Sequence, residues 1–465
     1  MKRISFKSLI LAGSAALALM AAPAARAETL ADALIAAYRN SNLLEQNRAT
    51  LRAADEDVAT AIASLRPVLR WVADATYTKS AYAEYYTVQS GGEIDRLSAS
   101  LGLSASMVLF DFGQSKLGVD IAKESVLATR EALVGVEQDV LLSAVAAYTG
   151  VKSASERVSI NQNSVRVIGE ELRAAQDRFE VGEVTRTDVS LAEARLAAAR
   201  ASLAAAQGEL LAARESYKAA TGAYPKALSA LPSAPKLPKS LDEASASAQR
   251  LHPAIKQSQR LVTIADLQVA LAAKKRLPVL AGSVGFQAEE GGARGATVGL
   301  QLSQTLYSGG ALAAAHRKAI AGRDASRAGL SQTGLIVNQN VANAWSNIKV
   351  ARAQITAIDE QIRAATVAYR GVKEEATLGA RTTLDVLDAE QELLNAQADR
   401  IDADANLQVA LYSLLSSMGL MTVEHLNLGI PTYDPAAYYN AVRNAPLTSV
   451  QGESLDRVLR AIGKN

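Results

Sequence analysis

Hydrophobic and polar positions alternate with two different periods along this chain, and both periods recur in its second half. Period two comes first. Leu69, Trp71, Ala73, Ala75 and Tyr77 share one face of a predicted strand, against Arg70, Asp74, Thr76 and Thr78 on the other. Leu97, Ala99, Leu101, Leu103, Ala105, Met107 and Leu109 alternate with Ser98, Ser100, Gly102, Ser104 and Ser106. In the second half Leu280, Val284 and Phe286 oppose Ser283, Gly285 and Gln287. Val298, Leu300 and Leu302 then oppose Thr297, Gly299, Gln301 and Ser303. Strands of roughly 10–12 residues with one apolar and one small polar face suit a membrane-spanning barrel, which needs about 9–11 residues per strand. The same alternation also describes a soluble sandwich with one wet face. Four strands cannot close a barrel alone, and lipid does not tolerate open sheet edges, so a membrane reading requires several copies. Two chains would supply eight strands, and three would supply twelve, enough to enclose a lumen.

The second period is helical. From Gln114 to Phe179 there is no proline and the glycines are isolated, so one helix of on the order of 100 Å is predicted at about 1.5 Å per residue. The helix after it carries a heptad: Val189, Leu196, Leu203, Leu210 and Tyr217, with Ala192, Ala199, Ala206, Ala213 and Ala220 three residues after each. A matching helix shows Val386, Leu393, Leu407 and Leu414, interrupted by Arg400, beside Ala389, Ala396, Ala403 and Ala410. Large residues at a and alanine at d describe coiled coils whose helices approach closely.

These parallels reflect an internal duplication. Leu30–Tyr77 aligns without gaps to Leu241–Ala288 at an offset of 211, and Ser98–Gly222 to Gly295–Gly419 at an offset of 197. Pro67 meets Pro278, Asp55 meets Asp266, Gly182 meets Gly379, Asp188 meets Asp385 and Glu193 meets Glu390. The offset changes only between Thr78 and Leu97, which marks a loop tip. Each half therefore reads as helix, β-hairpin, long helix, turn, helix. The organisation predicted is a signal over 1–27, a first repeat over 28–222 and a second over 241–419. The first holds a hairpin at 67–110 and a helical tip at 180–188; the second holds a hairpin at 278–307 and a tip at 377–385. Single N-terminal helices are expected from about Leu30 to Leu65 and from Leu241 to Arg276, ending before Pro67 and Pro278. A proline-rich linker, 223–240, joins the halves, and 420–465 forms a C-terminal segment and tail.

Composition adds compartment. Lys2, Arg3 and Lys7 precede an apolar run from Leu9 to Ala22, and Ala25-Arg26-Ala27 reads as a cleavage site, so export is expected. Cleavage removes four positive charges and takes the formal charge from +2 to −2, which gives no reason to expect nucleic acid as a partner. The absence of cysteine excludes disulfides, thiolate metal sites and a lipidated N-terminal cysteine. Beyond the signal no uninterrupted run of 18 apolar residues occurs, so no transmembrane helix is expected.

No catalytic constellation is legible. His252, His316 and His425 are isolated, without a ligand partner at helical spacing, and no glycine-rich loop precedes a Lys-Ser/Thr pair. Neither enzyme activity, cofactor nor metal is expected. The motifs LFDFGQSKLGVDIAKE (109–124), FEVGEVTRTDV (179–189), LSQTLYSGG (302–310) and LGARTTLDVLDAEQELLNA (378–396) instead carry a resemblance. Over about Leu30 to Leu428 the chain resembles the TolC-type outer-membrane efflux and secretion channels. The resemblance implies a mixed α/β membrane protein and a homotrimer. Twelve strands, four per chain, would form one outer-membrane barrel continued by a coiled-coil barrel through the periplasm. It implies passive transport in multidrug efflux or type I secretion. Its partners would be a periplasmic adaptor, an inner-membrane pump or ABC transporter, and outer-membrane lipid. The competing reading, a trimeric coiled-coil scaffold or adhesin without transport, gives no reason for hairpins inside both halves.

Candidate chemistry gathers at the two helical tips. Gly182 and Gly379 suit helix ends, and Thr185 or Thr187 and Thr382 or Thr383 suit the caps of the outgoing helices. Asp188, Asp385 and Asp388 lie in the first turns, where the helix dipole favours carboxylates. By resemblance, Thr187, Asp188 and Arg381 are the gate links, and Asp385 and Asp388 a selectivity ring. Val181, Gly182, Leu378 and Gly379 would be the turns that an adaptor touches. Better-known members carry a tyrosine where this chain has Ala376, so a phenolic bond to Asp188 is absent and the gate is expected to rest more heavily on Arg381.

Overall fold

The computed structural model describes residues 27–81, 93–232, 234–289, 292–444 and 457. The expected signal, apart from Ala27, lies outside these residues, as do the middle of the loop tip between Thr78 and Leu97 and nearly all of the tail.

The elements follow in the order α1 (Leu30–Asn40), α2 (Asn42–Ala63), β1 (Val68–Ala81), β2 (Glu93–Phe110), α3 (Gln114–Glu180) and α4 (Arg186–Thr221). The same order follows again: α5 (Leu241–Leu251), α6 (Pro253–Lys274), β3 (Val279–Glu289), β4 (Arg294–Ser303), α7 (Ala311–Thr377) and α8 (Thr383–Ser417). A short α9 (Pro435–Val442) closes the described chain. Helices α3 and α7 are each 67 residues long.

Each expected N-terminal helix is in fact two. The breaks fall at Ser41 and His252, both extended (ψ 112° and 125°), at matching places in the two halves. Pro253 explains the second break, because its ring excludes the helical conformation from the residue before it. His252 then caps α6, its Nδ1 accepting from Ala254 N–H at 3.2 Å. Ser41 breaks the helix without a proline, its backbone extended between α1 and α2.

The described chain divides into two compact units. The first comprises the chain up to Asn42, Glu137–Ala244 and Asn340–Ile430. Its core is built from Leu34 and Tyr38 of α1, Leu141, Val145 and Tyr148 of α3, and Leu411, Leu414 and Leu415 of α8, all buried. Tyr148 and Tyr217 pin the segment before α1 and the stretch between α4 and α5 together. The Tyr148 hydroxyl lies 3.1 Å from the Glu28 carbonyl and 3.0 Å from that of Ser229, while Tyr217 donates to Glu28 Oε1 at 2.7 Å. The heptad positions of α4 and α8 are the protected ones. Ala192, Leu196, Ala206 and Tyr217 are buried in α4, and Val386, Ala396, Ala403, Ala410 and Leu414 in α8. Arg400 occupies a heptad position by ion pairing rather than by burial, to Asp359 of α7 at 2.6 Å and to Asp404 one turn on.

The second unit comprises Leu43–Val136, Ser245–Gln339 and the chain from Pro431. It holds an antiparallel sheet in the order β1-β2-β3-β4. Register aligns the apolar positions across it: Trp71 with Leu103, Leu103 with Phe286, and Phe286 with Ala296. Ala105 meets Val284, and Val284 meets Val298. One face is thus mostly apolar, with Lys79 and Arg294 near the hairpin turns, and much of it is bare: Trp71 is 68% exposed, Leu300 73% and Val298 82%. A bulge between Val108 and Phe110 leaves Leu109 out of the register. Gly282 makes room for it, since a Cβ there would meet Leu109 Cδ1 at 3.0 Å. β1 and β4 each have a partner on one side only.

Within this unit the two halves have diverged at one charged pair. Asp266 of α6 bonds Arg327 of α7 at 3.1 Å on the surface. Their counterparts, Asp55 and Arg130, lie where the C-terminal segment covers α2 and α3. Arg130 sits 5.4 Å from the ring of Tyr439, Arg48 lies 5.2 Å from that of Tyr433, and Tyr438 donates to Glu56 at 2.8 Å. Burial, opposed by Arg130, pushes the Asp55 carboxyl up to about 6.

Among the described residues one helix, α3, contains a stretch long and apolar enough to cross a membrane by length and composition alone. Its apolar residues Val140, Leu141, Ala144, Val145 and Tyr148 are buried in the first unit, as those of a packed helix are.

Two left-handed glycines separate conformational from steric constraint. Gly222 (φ +86°) abuts Asn40, whose Cβ would lie 2.9 Å from an added Cβ, whereas Gly379 (φ +77°) has open space. Gly379→Ala should lose roughly 1 kcal/mol from left-handed backbone alone, and Gly222→Ala about twice that or more. Thermal unfolding of the detergent-extracted protein checks this: Gly222→Ala should melt clearly lower, and equal melting temperatures would contradict the packing argument.

Candidate functional site at the helical tips

Both tips are built in the same way. At the first, α3 ends in a Schellman turn: Gly182 N–H donates to Phe179 O at 3.0 Å and Glu183 N–H to Arg178 O at 2.9 Å. At the second, Gly379 N–H donates to Ala376 O at 3.1 Å and Ala380 N–H to Glu375 O at 2.9 Å. Gly182 (φ +81°) and Gly379 take the left-handed conformation this motif requires. Val181 and Leu378 precede them, 72% and 85% exposed, so each turn presents a bare aliphatic side chain.

Of the alternative caps, Thr185 and Thr382 are the ones used. Thr185 Oγ1 accepts from Asp188 N–H at 3.3 Å, while Asp188 Oδ2 accepts from Thr185 N–H at 2.9 Å and from its hydroxyl at 2.8 Å. Thr382 and Asp385 repeat the box at 3.2, 2.9 and 2.8 Å. Thr187 is exposed and Thr383 is buried; neither caps. The bond from the Thr185 hydroxyl, then that from its backbone, holds the Asp188 carboxyl below the usual range. For Asp385 the backbone bond from Thr382 comes first, then the hydroxyl.

The remaining candidates find partners that the sequence did not indicate. Asp388 of α8 accepts from Arg195 of α4 at 2.6 Å, which ties the two outgoing helices together. Arg381 donates through Nε to Glu375 at 2.9 Å, inside its own turn, and that partner raises its pKa. Within one chain Arg381 is not bonded to Thr187 or Asp188, and its two terminal amino groups have no partner among the described residues. Behind the tips Ile168, Ala192, Leu196 and Leu387 form a small apolar cluster joining α3, α4 and α8. Among the described residues no three His, Asp or Glu side chains converge as metal ligands would. The arrangement offers carboxylates, one part-free guanidinium and two exposed aliphatic turns: means for attracting cations and for docking, with no nucleophile activated by a base.

Comparison with known proteins decides what carries these tips. The profile of the outer membrane efflux protein family matches residues 34–223 and 244–420. The chain belongs to the outer membrane efflux protein family. Its relatives include the outer membrane efflux protein BepC of Brucella suis, 32% identical over 90% of this chain and 92% of that protein. The outer membrane protein TolC of Escherichia coli is 25% identical over 85% of this chain and 84% of its own length. Among solved structures, the Campylobacter jejuni CmeC outer membrane channel superposes with a TM-score of 0.74 at 16% identity, covering 90% of both chains. This chain is therefore an outer-membrane efflux protein with the fold of these channels, in a family of channels rather than enzymes.

The capping boxes give a direct test. Thr185→Ala should accelerate amide hydrogen exchange in the first turn of α4 roughly fivefold, the equivalent of about 1 kcal/mol for a lost cap. Because the Asp188 and Asp385 carboxyls titrate below their usual range, their contribution is present above pH 4 and lost as pH falls further. Protection of the first turn of α4, corrected for intrinsic rates, should be flat from pH 7 to 5; a steady decline across that interval would contradict the capping account.

Proposed function

We propose that three copies of this chain form one passive exit duct across the outer membrane, in tripartite multidrug efflux, type I secretion or both. The observation that carries the reading is the sheet. β1 and β4 each leave one edge unpaired beside an apolar face, and lipid admits such strands only when the edges are closed. Three four-stranded sheets would give a twelve-stranded barrel with a lumen, its apolar face toward lipid. The duplicated helical pairs would continue as a coiled-coil tunnel. Energy would come from an inner-membrane pump or ABC transporter, linked by a periplasmic adaptor that docks on Val181, Gly182, Leu378 and Gly379.

The tips form the gate in this reading. Arg381, with two amino groups unengaged, would reach Thr187 and Asp188 across the closed tip. Asp385 and Asp388, three apart on one helical face, would ring the constriction, six carboxylates in all. Asp385 Oδ1 and Asp388 Oδ2 remain open after the cap and the Arg195 pair. Such a ring attracts cations and excludes anions. Exposed pairs are worth about 0–1 kcal/mol each, so a gate held by them yields to a docked partner rather than to stored strain.

Planar-bilayer recording tests this. The wild type should form a low-conductance, cation-selective channel blocked by trivalent cations from the tip side. The double change Asp385→Ala, Asp388→Ala should remove the block, and Arg381→Ser should raise conductance several-fold. Anion preference, or block surviving in the double variant, would overturn the ring assignment; unchanged conductance in Arg381→Ser would overturn the gate link.

A further inference from the structure

Just behind the tip turns, three helices meet around charges used by neither the caps nor the gate links. Lys373 of α7 donates to Glu171 of α3 at 2.5 Å. Glu390 of α8 is the second carboxyl of the group. Glu171 and Glu390 are both buried, each 8% exposed, and Glu390 Oε2 has no hydrogen-bond partner. Tyr369 lies one turn before Lys373, its ring 5.8 Å from the ammonium. The other charge acting on Glu390 is Arg166 of α3, an exposed side chain already paired with Glu170 at 2.8 Å and Asn163 at 2.7 Å.

One lysine thus serves two buried carboxyls. With Glu390 protonated, Glu171 and Lys373 balance and nothing charged is left unpaired. With Glu390 ionised, the junction holds a surplus negative charge in a place that water scarcely reaches. The apolar residues flanking these carboxyls, Ile168 and Leu172 beside Glu171 and Leu387 beside Glu390, are the ones that join α3 to α8. The burial is particular to this site: Glu193, the counterpart of Glu390 in α4, is exposed.

We propose that Glu390, balanced against Glu171 and Lys373, is a positioning residue for the gate. Protonated, it seats the first turns of α8 against α3 and α7; ionised, it loosens them and favours the open tip. The inference rests on the gate reading above. Burial first, and the neighbouring Glu171 second, push the Glu390 carboxyl up to about 7, with Lys373 and Arg166 opposing. The sign follows. A carboxyl whose value is raised in the seated state favours that state below its ordinary value of 4.5, and the advantage is lost as pH rises through about 7. The window is distinct from that of the caps, which lies below pH 4.

Hydrogen exchange and conductance, measured on the full-length channel from pH 6 to 8.5, test this together. Exchange over residues 383–392, corrected for intrinsic rates, should rise roughly tenfold between pH 6 and 8, the ratio that linkage gives for a shift from 4.5 to about 7. Glu390→Gln, which mimics the protonated form, should abolish this rise. Glu171→Gln, which frees Lys373 for Glu390, should move the midpoint to lower pH. A wild type without the rise, or the same midpoint in Glu390→Gln, would overturn the proposal. If exchange titrates through Glu390 while conductance stays constant with pH, the positioning role stands and the gate reading fails.

Discussion

An unpaired sheet edge is the constraint from which the rest of this molecule follows. A backbone N–H or C=O without a partner loses several kcal/mol in hydrocarbon, and β1 and β4 each carry a row of them along strands whose side chains suit lipid. An isolated chain has no means to cover both edges, because its remaining described elements are helices and its sheet ends at β4. Identical copies meet the need with the least information, since the edge of one supplies the donors and acceptors that the edge of the next requires. In the proposed barrel the apolar face would then need no further partner than lipid.

The helices answer a different demand. Alanine at every d position of α4 gives little burial per residue, so specificity must come from elsewhere, and in the first unit it comes from charge. Arg157 of α3 reaches Asp402 of α8, Arg400 reaches Asp359, Arg195 reaches Asp388 and Lys373 reaches Glu171. These pairs join helices that small side chains alone would leave free to slide. The exposed pairs among them are individually weak, which would suit the proposed gate, where the helices shift at one end and hold at the other.

Much of the fold was legible in the sequence, for a physical reason. A strand with one wet face writes its geometry as alternation, and the faces read from Trp71, Leu103 and Phe286 are the ones the register aligns. The heptads and the tip motifs were equally local: T-x-x-D after glycine gives a cap whatever surrounds it. What stayed hidden depends on distant sequence. Arg195 and Asp388 stand 193 residues apart, and Lys373 and Glu171 stand 202 apart. No periodicity encodes such partners. The break at Ser41 was also invisible, although Pro253 at the matching place in the second half hinted at it. Glu193 and Glu390 occupy equivalent positions, yet one is wet and the other buried. Pattern alone could not tell them apart.

The mass of the folded protein in mild detergent measures directly how many copies make the functional object. Native mass spectrometry or light scattering of the extracted protein should give three copies, dissociating only when the protein unfolds. A folded, stable single copy under the same conditions would leave both sheet edges open and would contradict the account.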